Sequence, residues 1–274
     1  MAPSGASSSP RLLMLPEVWN SPYQAERFAD FAEPIPALGA DLLDGPSASL
    51  KVVADFAANH GVSVIAGSIP ECTVDGRIFN TATVISPQGR LLAKHRKIHL
   101  FDVDVPGGIH FYESESLSAG DQITVLSGRG DPLASGLPSP LNLGLQICYD
   151  IRFPELALLM QQQRSCHVIA CPAGFNTTTG PLHWHLVMRA RAVDTQCFVL
   201  ACCSARPSEG SHDYPSYGHS MVVDPWGHIV AEAGIGEEVV HAELDLAELA
   251  AARAAIPTGR QRRADVYRLT PSSN

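Results

Sequence analysis

The stretch Leu141–Leu156, LNLGLQICYDIRFPEL, decides how the chain reads. It opens as an apolar run of Leu141, Leu143, Leu145 and Ile147, broken by Gly144. That pattern suits a strand buried in a sheet. The run turns polar at Tyr149, Asp150 and Arg152. Pro154 then suits a first helical position, and Glu155 suits the positive end of a helix dipole. Leu156–Gln163 continues as helix. Cys148 therefore stands where a strand breaks into a turn before a helix. A thiol there is lifted off the sheet edge, near backbone N–H groups that can stabilise a thiolate or an oxyanion. Burial in a core is the commoner use of cysteine, so the rest of the chain has to discriminate.

Composition narrows the classes. The chain has 274 residues, 45% hydrophobic and 17% charged, with a net charge of −9. This is a soluble globular composition with ample core material, and the length fits one large domain or two at a stretch. We expect a disordered lead over residues 1–10 and a single domain over residues 11–274. The acidic balance disfavours nucleic acid as a partner. Seven cysteines occur with no CxxC pair, which fits buried thiols in a reducing compartment better than a disulfide framework. No apolar run approaches the ~18 residues of a membrane helix. The opening MAPSGASSSP lacks the basic and apolar regions of a signal peptide. We therefore expect a cytoplasmic location and no membrane partner.

Upstream of the cysteine, Arg11–Leu15 reads as a short strand ended by Pro16, with Glu17 at its carboxyl end, where open α/β sheets place their ligands. A short helix is expected around Ala25–Phe31. Ser47–His60 reads as a helix, with Ser47 as N-cap and Gly61 after its end. Val62–Ala66 reads as a strand, followed by GSIPE, so Glu71 is a second strand-end carboxylate. The pattern alone does not rank it below Glu17. Asn80–Ser86 and Arg90–Lys94 flank Pro87-Gln88-Gly89 as a hairpin. This order predicts helices on a mixed sheet. Lys94–Leu100, KHRKIHL, reads either as a solvated strand edge or as the seat of a lysine held beside a carboxylate. Phe101–Gly120 and Ser127–Pro140 read as loops.

Downstream, Cys166–Cys171 reads as a strand stopped by Pro172, Leu182–Gln196 as a helix, and Cys197–Cys203 as a strand. Tyr217–Asp224 and His228–Ala233 flank a second hairpin turn, Val239–Leu244 reads as a strand, and Asp245–Ile256 as a helix capped by Asp245. His183 and His185 are two apart and do not share a helix face, so they suggest no metal site. There is no GxGxxG, no P-loop and no internal repeat, and no cofactor is expected.

A nucleophilic Cys148 needs a base and oxyanion donors. Any of the eleven histidines could pair with it. A buried glutamate of raised pKa is the alternative, with Glu17 well placed and Lys97 able to steady both charges. Spacing does not choose between them.

Three stretches in order, LLMLPEVWNSPY (12–23), KHRKIHLFDVDVPG with HFYESESLSAGD (94–121) and GLQICYDIRFPELALL (144–159), resemble the signature regions of the nitrilase superfamily of carbon–nitrogen hydrolases. The likeness runs from about Leu12 to Tyr267 and is nearest in wording to the omega-amidase branch. The resemblance implies a four-layer α-β-β-α sandwich without a cofactor, usually a homodimer. It implies that Glu17 is the general base, Cys148 the nucleophile and Lys97 the oxyanion stabiliser. Tyr149 N–H would be a second donor, and Glu113 the glutamate that orients Lys97. It demotes Glu71. Arg152 and Thr178 or Thr179 would hold the distal carboxylate of a small dicarboxylic mono-amide. Other readings are a deaminated-glutathione amidase or another amidase of the superfamily, and an inactive shortened homologue acting as a binding or dimer partner. The chain differs from the family pattern in lacking the first strand–helix unit before the glutamate strand, and in a longer Ser127–Pro140.

Overall fold

The computed structural model describes residues 11–106, 110–128 and 141–272. The lead, residues 1–10, and most of the Ser127–Pro140 excursion lie outside them.

Two sheets form the centre. The first has four strands in the order β1 (Leu12–Met14), β2 (Ser63–Cys72), β3 (Ile78–Ile85), β4 (Leu91–Arg96). The β1–β2 pair is parallel and the others antiparallel. A small hairpin follows, β5 (Asp102–Asp104) with β6 (His110–Tyr112). The second large sheet is built from β7 (Val125–Ser127), β8 (Asn142–Leu145), β9 (Val168–Ala173), β10 (Phe198–Cys203), β11 (Met221–Val223) and β12 (Ile229–Glu232). They lie side by side in reverse chain order. Its central β8–β9–β10 ladder is parallel and its flanks antiparallel.

The helices are α1 (Ala48–His60), α2 (Pro154–Arg164), α3 (Gly180–Thr195) and α4 (Leu246–Ala255). Each follows from its own signals. The Ser47 hydroxyl accepts from the Leu50 amide and Gly61 takes the left-handed conformation that ends α1. Pro154 opens α2, and Asp245 caps α4.

Three apolar clusters give the layer order. Leu50, Val53 and Ala57 of α1 pack on Val64 and Ile85 of the first sheet. Ile65, Val84 and Leu92 of that sheet meet Leu143, Leu145, Val168 and Phe198 of the second. The far face of the second sheet, with Ile169 and Val199, packs on Met160 of α2 and Trp184 and Met188 of α3. The result is the expected α-β-β-α sandwich. Strands buried on both faces explain why they read as apolar runs without alternation.

Four expectations are corrected. Phe101–Gly120 is not a featureless loop, because β5 and β6 pair within it. β2 does not stop at Ala66 but bulges between Ile65 and Ser68 and continues through Glu71. β9 runs past Pro172, which is tolerated because β8 pairs only as far as Ala170 and asks no donor of the proline. Val239–Leu244 forms no strand: the second sheet ends at β12.

Candidate active site

Glu17 follows β1 in a strained turn. The next residue, Val18, has φ 46°, unusual for a β-branched residue. Its amide donates to Ser68 Oγ at 3.0 Å. Gly67 makes this turn possible: its φ is +59°, and a Cβ there would lie 2.0 Å from the Pro16 carbonyl oxygen. Only glycine lets β2 approach so closely, and that approach fixes where Glu17 points.

Cys148 occupies the second strained turn. Its φ is 42°, and it follows the extended Ile147 as the first residue of the short 3-10 turn Cys148–Arg152 that leads into α2. Asp150 ties the turn down. Its Oδ2 accepts from the Ile147 amide (3.0 Å) and His95 Nε2 (3.2 Å), and its Oδ1 from the His99 amide (2.9 Å) and His99 Nδ1 (2.8 Å). Burial alone would raise the Asp150 pKa. The bonds from His95 and His99 overcome it and hold the carboxyl well below its usual range.

Lys97 lies just beyond β4 and is fully buried. KHRKIHL is therefore not a solvated edge at this position. Nζ donates to Glu17 Oε1 at 2.9 Å and to Glu113 Oε1 at 2.8 Å. Asn80 Nδ2 donates to Glu17 Oε1 at 2.8 Å, and Tyr23 Oη to Glu113 Oε1 at 2.9 Å. The Phe101 amide donates to Glu113 Oε2 at 2.8 Å. Glu17 Oε2 is buried with no conventional hydrogen bond.

The charges of this cluster are interdependent. Burial pushes the Glu17 carboxyl up, against Lys97, which lowers it; Glu113 adds to the rise. Burial also works against the Lys97 ammonium, but the facing Glu113 and Glu17 carboxylates outweigh it and raise its pKa well above that of a free lysine. Burial, then the Glu17 charge, lifts the Cys148 thiol well above its ordinary range, with Lys97 and the Gly174 amide opposing. The resting cysteine is thus a thiol that needs a base, and Glu17 is a candidate, because its carboxylate and the thiol interact directly.

Arg152 extends over the Phe175 ring at 4.8 Å and donates from Nη1 to His183 Nδ1 at 3.0 Å. Because Arg is only a donor, His183 carries its proton on Nε2 in this contact. Arg152, Tyr149 and Thr179 line the narrow space beside Cys148, of about 10 Å³. Thr178 is exposed and is not among that lining. A larger cavity of about 270 Å³ lies on the other side of Gly174 and Tyr214 and reaches Glu17 and Tyr23. We take the smaller space as the reaction site because it contains the thiol.

Glu71 is accounted for elsewhere. Its carboxylate is paired with Lys94 (2.9 Å) and bidentately with Arg96 (2.8 and 2.9 Å), and accepts from Thr81 (2.7 Å). Its proton affinity is lowered, so it is a structural ion pair without base character. The sequence reading missed Tyr23, Asn80, Gly174 and Asp150. Asn80 alone carried a usable signal, as a polar side chain inside an apolar strand.

The carbon–nitrogen hydrolase family profile matches residues 6–254. The chain belongs to that family. Within it, the chain is 43% identical to omega-amidase NIT3 of Saccharomyces cerevisiae, over 94% of its own length and 82% of the relative's. It is also 43% identical to human omega-amidase NIT2, over 96% of the chain and 86% of that protein. The crystal structure of S. cerevisiae Nit3, described as a member of branch 10 of the nitrilase superfamily, superposes with a TM-score of 0.78 at 40% identity, covering 92% of this chain and 83% of that one. The family member described here is an amidase-type carbon–nitrogen hydrolase of the omega-amidase branch.

Proposed function

We propose that the protein hydrolyses the terminal amide of small dicarboxylic mono-amides, such as 2-oxoglutaramate or succinamate, through a Cys148 thioester. The observation that carries this reading is the buried Glu17–Lys97–Glu113 ion cluster beside the Cys148 thiol. Names of the relatives, omega-amidases, support the substrate class.

In the first half, the Cys148 sulfur attacks the amide carbon as its proton passes to Glu17. Lys97 has three N–H groups, two of which serve the glutamates. The third, with the Tyr149 amide, stabilises the oxyanion. Glu17 gives its proton to the departing ammonia. In the second half, Glu17 takes a proton from water, which attacks the thioester, and the thiol is restored when that proton returns to sulfur. A glutamate of raised pKa suits both directions of transfer. Glu113 keeps Lys97 in place. Arg152 offers a guanidinium to the distal carboxylate, with Thr179 as a neighbouring hydroxyl. Thr178, being exposed, reaches substrate only by a change of rotamer or loop position. The space beside Cys148 holds about one water molecule, so substrate entry requires lining side chains to move.

We further propose a cytoplasmic homodimer. The seven unpaired cysteines fit a reducing compartment, and among the described residues no helix is long and apolar enough to cross a membrane. The dimer rests on the family resemblance and is checked by light scattering. The deciding experiment is ammonia release from 2-oxoglutaramate by the wild-type chain and by Cys148→Ala. Release abolished by the substitution supports the reading. Release that survives it excludes Cys148 as nucleophile, and no release from the folded wild type excludes this substrate.

A further inference from the structure

Among the described residues, one group outside the thiol site has the makings of a metal centre: His185, His219 and Glu232. His185 lies within α3, His219 just before β11, and Glu232 at the end of β12. Glu232 Oε1 accepts from His185 Nε2 at 2.7 Å and from His219 Nδ1 at 2.9 Å. All three potential ligand atoms fall within 4.8 Å of one another. None of the three lines the space beside Cys148, and the proposed amide chemistry does not use them.

The frame is fixed independently of the contacts among the three side chains. His219 has φ 59°, a conformation that few non-glycine residues adopt. It is pinned from both sides: its amide donates to the Gly234 carbonyl at 2.9 Å, and its carbonyl accepts from Trp184 Nε1 at 2.7 Å. Glu232 is held in register opposite Met221. The Tyr217 ring packs on His219, with centroids 4.5 Å apart, and edges against His185. The three side chains are 25–36% exposed, so an ion has access.

We propose that His185, His219 and Glu232 form a binding site for a borderline-soft divalent transition-metal ion such as Zn²⁺. Two imidazole nitrogens and one carboxylate oxygen suit Zn²⁺, Co²⁺ or Ni²⁺, whereas Mg²⁺ and Ca²⁺ favour oxygen donors. In tetrahedral zinc geometry, with bonds near 2.0–2.1 Å, ligand atoms stand roughly 3.3 Å apart. The two N···O edges therefore open by roughly half an ångström, and the two ring nitrogens, within 4.8 Å of each other, draw together. Each histidine binds as neutral imidazole, its remaining proton moving to His185 Nδ1 or His219 Nε2. Three protein ligands leave water in the remaining position. The bound ion joins α3 to the β11–β12 hairpin.

The test is a titration of the metal-stripped full chain with Co²⁺, followed by visible absorption, with a parallel melt in Zn²⁺. We expect one equivalent to bind with a d–d spectrum and no sulfur-to-cobalt charge-transfer band. Zn²⁺ should raise the melting temperature. Glu232→Gln and, separately, His185→Ala should each weaken Co²⁺ binding at least tenfold and remove most of the Zn²⁺ stabilisation. Both positions are partly exposed, and an unchanged melt in chelator verifies that each variant folds. Absence of binding to the wild type overturns the proposal. So does binding unaffected by both substitutions, or a charge-transfer band that assigns the ion to a thiolate.

Discussion

Asp150 and Ile147 close a loop around the nucleophile: the Ile147 amide donates to Asp150 Oδ2 at 3.0 Å, spanning Cys148. The same carboxylate accepts from both His95 and His99. The left-handed backbone of Cys148 is thus held by a side chain two residues on. Backbone strain of this kind costs ~1–3 kcal/mol and persists where its surroundings overdetermine it.

Asp150→Asn should therefore destabilise the fold. One amide NH₂ must then face a donor that the carboxylate satisfied, at a cost of ~1–3 kcal/mol. Because the folded pKa lies below the unfolded one, the carboxylate's contribution is complete above the ordinary aspartate range. It fades as pH falls from about 4 toward the lower folded value. Urea denaturation of the two proteins should show a gap at neutral pH that narrows in acid. A gap constant with pH would exclude this origin.

Glu17→Gln keeps the shape of the side chain and removes the base. Turnover should fall ~10²–10⁴-fold, the usual range for a general acid–base group. The wild-type thiol should also lose reactivity as pH falls through the raised Glu17 pKa, because the protonated carboxyl cannot accept the sulfur's proton. Ammonia release measures the first, and iodoacetamide modification of Cys148 against pH measures the second. The acid limb should be absent from the Glu17→Gln profile.

Gly174→Ala probes the spacing between base and thiol. A Cβ at Gly174 would stand 3.2 Å from Glu17 Oε2 and 3.1 Å from Tyr23 Cε2. Both neighbours can yield slightly, so the fold should survive. The base moves by a few tenths of an ångström, and kcat should drop by about tenfold, a fraction of the effect of a full 1 Å displacement. Unchanged kcat with a lowered melting temperature would make Gly174 a packing residue only.

Arg152→Lys separates recognition from chemistry. Lysine keeps the charge but loses the forked geometry and the stacking on Phe175. KM for 2-oxoglutaramate should rise about tenfold, the scale of one charge-assisted hydrogen bond, while an amide without a distal carboxylate reacts at an unchanged rate. Equal losses on both substrates would remove Arg152 from carboxylate binding.

Much of this protein was legible in its sequence because the determinants are local. The break at Cys148, the Ser47 and Asp245 caps and the Gly61 stop are written in neighbouring residues, and the structure has each as expected. The paired sheets follow from apolar runs too continuous to face water. Local pattern failed where the apolar signal was too weak or misleading. β5 and β6 have too few apolar residues to announce a hairpin, and Val239–Leu244 has a strand's composition but pairs with neither sheet.

The tertiary structure decided the protonation chemistry. Glu17 and Glu71 are alike in sequence, each a glutamate after a proline near a strand. Both carboxylates are buried, but only the fold gives Glu71 two partly exposed cations, and gives Glu17 a single lysine that is itself fully buried and shared with Glu113. His185 likewise looked unsuited to metal binding beside His183, because the residues it faces, His219 just before β11 and Glu232 in β12, are 34 and 47 residues away. Charge state depends on desolvation and on which groups face each other across the core, and neither quantity is carried by neighbours along the chain.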